Sequence, residues 1–311
     1  MAEILQPRPG ESIYDPTCGS GGMLVKCLDF LRKKGEPWQG VKVFGQEINA
    51  LTSAIARMNL YLNGVEDFSI VREDTLAHPA FVDGSRLRKF DVVLANPPYS
   101  ISEWNRTSFE NDKWGRNKYG TPPQGRADYA FIQHIVCSMN EQNGRCAILL
   151  PHGILFRKEE TNVRTNLVLS DKIEAIIGLG PNLFYNAPME ACVIICNNDK
   201  RVDLNNKIIF VNAKNEVTRK NAESYLEKIV ENVKSSTDPR LMIVDPTLQE
   251  KVPDEVNPEV QEKIIVIASE RLDAIIAEVY NLSRNESNNL FTAKKVFVNG
   301  KLTENNSQKI L

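Results

Sequence analysis

Short apolar runs alternate with longer amphipathic stretches through about the first 200 residues. Segments such as Met23–Lys34, Leu51–Asn63 and Tyr129–Glu141 carry apolar residues at helical spacing. This alternation predicts βαβ units and an α/β fold whose doubly wound, mostly parallel sheet has seven strands. The seven predicted strands are Ser12–Asp15, Lys42–Glu47, Ser69–Asp74, Asp91–Ala95, Arg145–Leu150, Glu174–Leu179 and Glu190–Cys196.

The pattern changes after Asp199. Lys207–Ala213 is predicted to form one more strand and Asn221–Lys234 a helix, before four prolines punctuate a linker-like stretch. We therefore expect one domain over residues 1–235 and a small C-terminal appendage over residues 236–311. In the appendage, Asn299-Gly300 between β-prone residues predicts a hairpin. A preceding stretch has the three–four spacing of a helix that packs on another helix, with apolar residues at Ile265, Ala268, Leu272, Ile275, Val279 and Leu282.

Composition excludes several classes of protein. The 311 residues contain no apolar run of the roughly 20 residues that span a bilayer, and the first residues lack the features of a secretory signal. Six cysteines without a C-x-x-C pair, and three histidines without ligand spacing, predict neither a disulfide framework nor a metal site. We expect a cytoplasmic protein with reduced thiols. A net charge of −2 argues against strong DNA binding by this chain alone.

A glycine-rich turn follows the first predicted strand. Its glycines let the backbone bend tightly and expose its amides to a ligand, and we assign the whole turn as a candidate cofactor site. Leu24 stands where a dinucleotide fingerprint needs its last glycine, which disfavours a dehydrogenase. Taken alone, the turn could equally be structural. The turn runs from Asp15 to Gly22, and its candidate cofactor-binding residues are Asp15, Thr17, Cys18, Gly19, Ser20, Gly21 and Gly22.

Two acidic residues end the second and third predicted strands. Glu47 could accept hydrogen bonds from ribose hydroxyls, and Asp74 could accept one from an adenine amino group. A carboxylate that interacts with a helix N-terminus, or that caps it, is the structural alternative. Because ligands of such sheets bind beyond the carboxyl ends of the strands, we expect both residues to line one crevice with the glycine turn.

Asn96-Pro97-Pro98-Tyr99 follows the apolar run DVVLA. An amine on an aromatic ring is a poor nucleophile because its lone pair is delocalised into the ring. The side-chain oxygen of Asn96 and the carbonyl of Pro97 could accept its hydrogens and favour a tetrahedral nitrogen. The prolines would hold these acceptors rigidly, and Tyr99 could stack on a base turned out of a duplex. We assign all four residues as candidate catalytic residues.

The glycine turn and this motif, in this order, resemble the methyltransferases that modify amino groups with S-adenosylmethionine. Residues 1–225 resemble more narrowly the modification subunit of type I restriction–modification systems. This resemblance implies a Rossmann-like methyltransferase domain that methylates the 6-amino group of adenine in DNA, with S-adenosylmethionine at the glycine turn. It also implies a specificity subunit, a restriction subunit and a second modification subunit as partners. The blocks that carry it are ILQPRPGESIYDPTCGSGGML, NPPYS, GRCAILLPHGILF, IIGLGPNLFYNAPMEACVIICN and KIIFVNAKNEVTRKNAESYLE.

Other aromatic residues are secondary candidates. The stretch Ser100–Asp128 has no clear period and interleaves four aromatic residues with bases, which suits nucleic acid or, alternatively, a solvated loop packed on the domain. The resemblance places Phe184 and Tyr185 near the target base, although such a pair is more often part of a core. The interleaved residues are Trp104, Arg106, Phe109, Lys113, Trp114, Arg116, Lys118, Tyr119 and Arg126.

Two further interpretations remain open. A methyltransferase that modifies glutamine amides of a protein would share the Asn96 chemistry. The family also carries a helical N-terminal domain and an F-Y-T-P-like segment that this sequence lacks, so we expect an N-terminal truncation. A truncated, non-catalytic assembly subunit is therefore the other alternative.

Overall fold

The computed structural model describes residues 1–180, 190–213 and 241–244, residue 287 and the pairs 297–298 and 301–302. The chain divides into two compact units, Met1–Gln249 and Glu250–Leu311. The predicted boundary at residue 235 precedes a short strand, Leu241–Val244, that belongs to the sheet of the first unit. None of the helices in the described ranges is long and apolar enough to cross a bilayer.

Helices and strands alternate along the first unit much as the sequence predicts. Six α-helices are described: α1 Ala2–Leu5, α2 Gly22–Lys33, α3 Ala50–Leu62, α4 Arg106–Glu110, α5 Asp128–Ser138 and α6 Thr161–Leu169. The strands up to residue 95 are β1 Ser12–Asp15, β2 Lys42–Glu47, β3 Phe68–Arg72, β4 Val82–Asp83, β5 Arg86–Leu87 and β6 Val92–Ala95. Those that follow are β7 Arg145–Pro151, β8 Ile173–Leu179, β9 Ala191–Asn197, β10 Ile208–Ala213, β11 Leu241–Val244, β12 Phe297–Val298 and β13 Lys301–Leu302.

The main sheet has the order β11-β10-β8-β9-β7-β6-β1-β2-β3. Seven of these strands run in one direction, and β9 and β11 run in the other. The predicted mostly parallel α/β sheet is confirmed, but it has nine strands in place of seven. One of the two added strands, β10, is the extra strand that the sequence predicts. The other, β11, lies in the stretch that we interpreted as a linker, where four residues among prolines give too short a pattern to detect.

Alternate residues of each central strand pack on opposite faces of the sheet, as a period of two requires. In β1, Ile13 belongs to the core on one face and Tyr14 to the core on the other. Helices α2 and α3 cover the Ile13 face, where Leu28 and Leu60 are buried. Helices α5 and α6 cover the Tyr14 face. The sheet is therefore doubly wound, and its central strands are apolar on both sides.

The strand order reverses at β1, because β2 pairs with one of its edges and β6 with the other. The loops that leave the carboxyl ends of β1 and β6 therefore diverge to opposite faces of the sheet. In open α/β sheets, this divergence opens the crevice in which ligands bind. The glycine turn leaves β1 here, and Asn96 follows β6.

Several elements depart from their predicted bounds. Strand β3 ends at Arg72, so Asp74 lies in the turn beyond it. The antiparallel pair β4–β5 and helix α4 are additions, and both are too short to leave a period in the sequence. The pairing of Phe297 with Leu302 and of Val298 with Lys301 agrees with the predicted hairpin around Asn299-Gly300. The predicted helices over residues 221–234 and 260–282 lie outside the described residues.

The long segment between β6 and α5 is fixed to the domain by the buried side chain of Arg116. The Arg116 side chain is 1% exposed and contacts the equally buried Asp112 at 2.6 Å. Its two terminal nitrogens also donate to the carbonyls of Thr75 and Leu76 at 2.9 and 2.8 Å. The prediction that Arg116 contacts nucleic acid is therefore not supported, because the guanidinium is fully used inside the protein.

We expect Arg116→Ala to lower the free energy of unfolding by about 3–5 kcal/mol, because it leaves the Asp112 carboxylate buried and unpaired. Arg106→Ala is the matched control, since Arg106 contacts Glu110 with the same spacing and donates to the Pro122 carbonyl, but at a half-exposed site. That change should cost about 1 kcal/mol or less. Urea denaturation measures both variants, and equal losses would contradict the assignment of Arg116 as a buried anchor.

Candidate active site

A cleft of about 420 Å³ lies at the carboxyl ends of β1, β2, β3 and β6. It brings together Thr17 and Gly19 of the glycine turn, Glu47, Asp74 and Asn96, as expected from the strand ends. Its described lining is Pro16, Thr17, Gly19, Glu47, Ile48, Glu73, Asp74, Thr75, Leu76, Ala77, Asn96, Pro98, Ile101, Glu103, Trp104, Asn105 and Phe131.

The glycine turn bends where the sequence predicts. Gly19 and Gly21 have φ of 54° and 76°, in the left-handed region that favours glycine. The backbone amide of Cys18 donates to the carbonyl of Gln46 at 2.9 Å, which holds the turn against β2. This approach requires a glycine at position 45, since a Cβ there would lie 2.9 Å from the Cys18 sulfur. Sequence analysis missed Gly45, and its only signal is a glycine inside a strand.

Glu47 ties the first two loops of the crevice together. One carboxylate oxygen accepts the amide of Gly19 at 3.0 Å, and the other accepts the amide of Asn49 at 2.9 Å. Asn49 is the N-cap of α3, so Glu47 also lies at a helix N-terminus. The structural alternative for this carboxylate is therefore confirmed as well. A carboxylate oxygen can accept a second hydrogen bond, so Glu47 keeps acceptor capacity towards the cleft.

Part of the glycine turn lies behind the cleft wall. Among the predicted cofactor residues, Asp15, Cys18, Ser20, Gly21 and Gly22 do not belong to the cleft lining. Asp15 is fully buried and accepts the amide of Thr17 at 2.9 Å. Burial, with a smaller effect of the nearby Glu47 carboxylate, raises the pKa of Asp15 to about 7. Asp15, Cys18 and Gly21 are buried and shape the turn from inside, whereas Ser20 and Gly22 are exposed outside the cleft.

Asp74 lies in the turn after β3 and lines the cleft. Its Oδ1 accepts the amides of Leu76 and Ala77 at 2.8 and 3.0 Å. No hydrogen bond to its Oδ2 is found within the described part of the chain. Residues 75–77 form a turn and not a helix, so Asp74 holds that turn through one oxygen and keeps the second open to a donor in the cleft.

The Asn96 motif presents its acceptor at the cleft. Asn96 and Pro98 are exposed and line it, whereas Pro97 is buried. The Tyr99 hydroxyl donates to the Asn96 side-chain oxygen at 2.8 Å. Burial is the main reason that the pKa of Tyr99 is raised to about 12, so the phenol keeps the proton it donates. The sequence predicted both residues but not their mutual hydrogen bond.

Asp128 and Arg157 hold the residue that follows this motif. Ser100 has a φ of 53°, a strained value for a residue with a side chain. Its amide donates to Oδ1 of the buried Asp128 at 2.8 Å, and Arg157 contacts Oδ2 of Asp128 at 2.7 Å. Sequence analysis missed both side chains, because they are 28 and 57 residues away from Ser100.

Glu160 completes this cluster with a carboxylate that lacks a hydrogen bond. Its side chain is fully buried, and the Arg157 guanidinium approaches no closer than 3.6 Å. Burial, opposed by Arg157 and reinforced by Asp128, raises the pKa of Glu160 from 4.5 to about 7. Below about pH 7, the folded state thus prefers the protonated acid.

The aromatic residues of the segment that follows the motif are of two kinds, one that lines the cleft and others that are buried in the domain. Trp104 lines the cleft and donates to the carbonyl of Gln124 at 2.8 Å. Phe109 and Tyr119 are buried at 1% and 4% exposure, so stacking on nucleic acid is contradicted for them. Phe184 and Tyr185 lie outside the described residues.

The three histidines form no metal-binding group with other described side chains, and the buried His134 forms a hydrogen bond with the Tyr14 hydroxyl at 3.0 Å.

Glu160→Gln should stabilise the protein at high pH. The pKa of Glu160 is higher in the folded state than in the unfolded state. Its contribution to the free energy of unfolding is therefore intact below pH 4.5 and is lost as the pH rises through 7. We expect a gain of about 2 kcal/mol near pH 8.5 and little near pH 5. Thermal or urea unfolding at both pH values measures it, with the exposed neighbour Glu159→Gln as control. A gain that does not depend on pH would contradict the assignment.

Comparison with known proteins agrees with this geometry. The family model of the N-6 DNA methylases matches residues 1–289. The HindI methylase subunit of a type I restriction enzyme from Haemophilus influenzae is 31% identical over 218 residues, which cover 69% of this chain and 47% of that protein. The MjaVIII methylase subunit from Methanocaldococcus jannaschii is 31% identical over 98% of this chain and 54% of its own length.

A solved structure supports the same relationship. The type I restriction–modification methyltransferase subunit from Streptococcus thermophilus superposes with a TM-score of 0.70 and 32% identity, over 79% of this chain and 53% of that one. The chain thus spans about half the length of the relatives it matches. With the match over residues 1–289 and the cleft at the strand reversal, the chain belongs to the N-6 DNA methylase family.

Proposed function

We propose that this chain is the methylating part of a type I restriction–modification enzyme and transfers a methyl group from S-adenosylmethionine to the 6-amino group of adenine in DNA. One observation carries the proposal. The Asn96 side chain opens into the same cleft as Glu47 and the glycine turn, so a cofactor and a target amine would meet there.

The residues of the cleft fit S-adenosylmethionine. Glu47 and the second oxygen of Asp74 provide acceptors for hydroxyl and amino groups. Ile48 is 63% exposed beside Glu47 and, with Leu76 and Phe131, provides an apolar surface that a purine ring would cover. When bound, S-adenosylmethionine supplies a methyl group on a positively charged sulfur. The lining places these acceptors beside an apolar surface, and its residues therefore fit the cofactor.

The chain's own residues would prepare the amine. The Asn96 oxygen and the Pro97 carbonyl accept its two hydrogens and turn the nitrogen lone pair away from the ring. The amine can share that oxygen with the Tyr99 hydroxyl, which donates to it at 2.8 Å, or Tyr99 can release it. Its ring is then free to stack on the base. Asp128 and Arg157 keep the following residue fixed, so the acceptors do not move with Tyr99.

DNA is favoured over protein as the substrate. The similar curated proteins are named as methylase subunits of type I restriction enzymes, whereas none of the described lining residues favours a glutamine amide. We further propose that a specificity subunit, a restriction subunit and a second copy of the methylating subunit complete the enzyme in the cytoplasm. The net charge of −2 is consistent with DNA binding that depends on such partners.

Glu47→Ala should weaken S-adenosylmethionine binding by about 1.5–3 kcal/mol, roughly ten- to a hundredfold in Kd. The carboxylate would lose a charged hydrogen bond to the cofactor and would also release the amides of Gly19 and Asn49. Isothermal calorimetry measures the change, with the exposed Glu66→Ala as control. If the unchanged chain binds no cofactor, the non-catalytic alternative stands. Equal affinity of Glu47→Ala and the control would contradict the role of Glu47.

Asn96→Ala should abolish methyl transfer in the assembled enzyme and leave cofactor binding nearly unchanged, because Asn96 faces the amine. Asn105→Ala, another amide of the same cleft, should retain turnover. Tyr99→Phe should also retain most activity, since its ring still stacks and the Asn96 oxygen is freed, whereas Tyr99→Ala should lose it. Tritiated-methyl transfer measures all four variants. Normal turnover by Asn96→Ala would contradict the mechanism.

A further inference from the structure

A second cleft, of about 670 Å³, lies at the opposite edge of the sheet. Lys89 precedes β6, Glu141 precedes β7 and Lys172 precedes β8, so the lining comes from the amino ends of these strands. The β4–β5 hairpin contributes Arg86, and the long segment before α5 contributes Lys113 and Lys118. The methyltransferase cleft lies at the carboxyl ends, and the two clefts share no lining residue.

The described lining of this second cleft is strongly positive. It holds five cations and a single acid, although the whole chain has a net charge of −2. The acid, Glu141, forms an ion pair with Lys89 at 3.5 Å and with no other side chain in the described part of the chain. Within the described residues, Lys118, Lys172 and Arg86 form no ion pair. Like charges repel and are not placed together by folding alone, so this concentration favours an anionic ligand.

The kinds of residue favour a phosphate backbone over an acidic protein segment. Four of the five cations are lysines, which protein–protein interfaces disfavour relative to arginine. Lysine suits phosphate contacts that need a mobile point charge without fixed geometry. Trp114 also lines the cleft, and the Lys113 ammonium lies 4.4 Å from its ring centre. Cations that alternate with an aromatic ring are typical of surfaces that follow nucleic acid strands.

We propose that this cleft binds the phosphodiester backbone of DNA, at a position separate from the target base. The strands of four to seven residues between the two edges are roughly 13–23 Å long. The contacted phosphates therefore belong to a different stretch of DNA from the nucleotide presented to Asn96. This contact does not depend on base sequence and does not require the methyltransferase cleft to be occupied.

The test uses the whole chain and a duplex made only of G·C pairs, which contains no adenine to methylate. Lys113→Gln, Lys118→Gln and Lys172→Gln are combined in one variant. A matched control combines Lys33→Gln, Lys34→Gln and Lys42→Gln, three exposed lysines outside the cleft. Fluorescence anisotropy at several salt concentrations gives the affinity and its salt dependence. We expect the cleft variant to bind more weakly, with a log–log salt slope less steep by about 2.7.

Both variants should melt within about 2 °C of the parent, because surface changes rarely alter stability. The proposal is overturned if the cleft variant and the control lose the same affinity and slope. It is also overturned if the duplex binds the cleft variant normally while a decaglutamate peptide loses affinity, which would assign the cleft to an acidic protein segment. Because neither measurement requires S-adenosylmethionine, failure of the methyltransferase proposal would leave this test valid.

Discussion

The position of β1 between β2 and β6 governs where chemistry can occur in this domain. With Ile13 buried on one face and Tyr14 on the other, the strand has no polar surface except at its end. The chain must therefore emerge at the carboxyl edge, where the loops after β1 and β6 separate. Glu47, Asp74 and Asn96 come from three other strands, yet parallel pairing brings their ends to the same edge. The crevice follows from topology before any ligand is considered.

A second constraint fixes the long segment that borders this crevice. Arg116 donates to the carbonyls of Thr75 and Leu76, which directly follow Asp74. It lies behind the wall of the cleft and stabilises it, while its partner Asp112 keeps the charge balanced. The same segment sends Trp104 to one cleft and Trp114 to the other. Burial of one arginine thereby decides which side chains of the segment remain available to ligands.

Sequence alone predicts what depends on local pattern. The apolar runs identified the described core strands, and the glycine turn, Glu47, Asp74 and Asn96 all reach the predicted edge. The sequence alone could not predict contacts that form only when distant segments meet. In the sequence, Arg116 is surrounded by the same kinds of residue as the exposed bases of its segment. No periodic pattern therefore indicates that it is buried. Asp128 and Arg157 support Ser100 from remote positions, and Gly45 is informative only once Cys18 is seen to pack against it.

The acceptors of the candidate active site already hold donors of the protein itself. Glu47 accepts two backbone amides, Asp74 accepts two more through one oxygen, and Asn96 accepts the Tyr99 hydroxyl. A ligand can therefore use the open second oxygen of Asp74, whereas at Glu47 and Asn96 it either shares an acceptor or replaces an internal hydrogen bond. Where an internal hydrogen bond is replaced, the exchange contributes little net free energy, so the apolar wall around Ile48 adds to the affinity that the free acceptor capacity of Glu47 and Asp74 provides. The acceptors then determine orientation, which is what a methyl transfer requires.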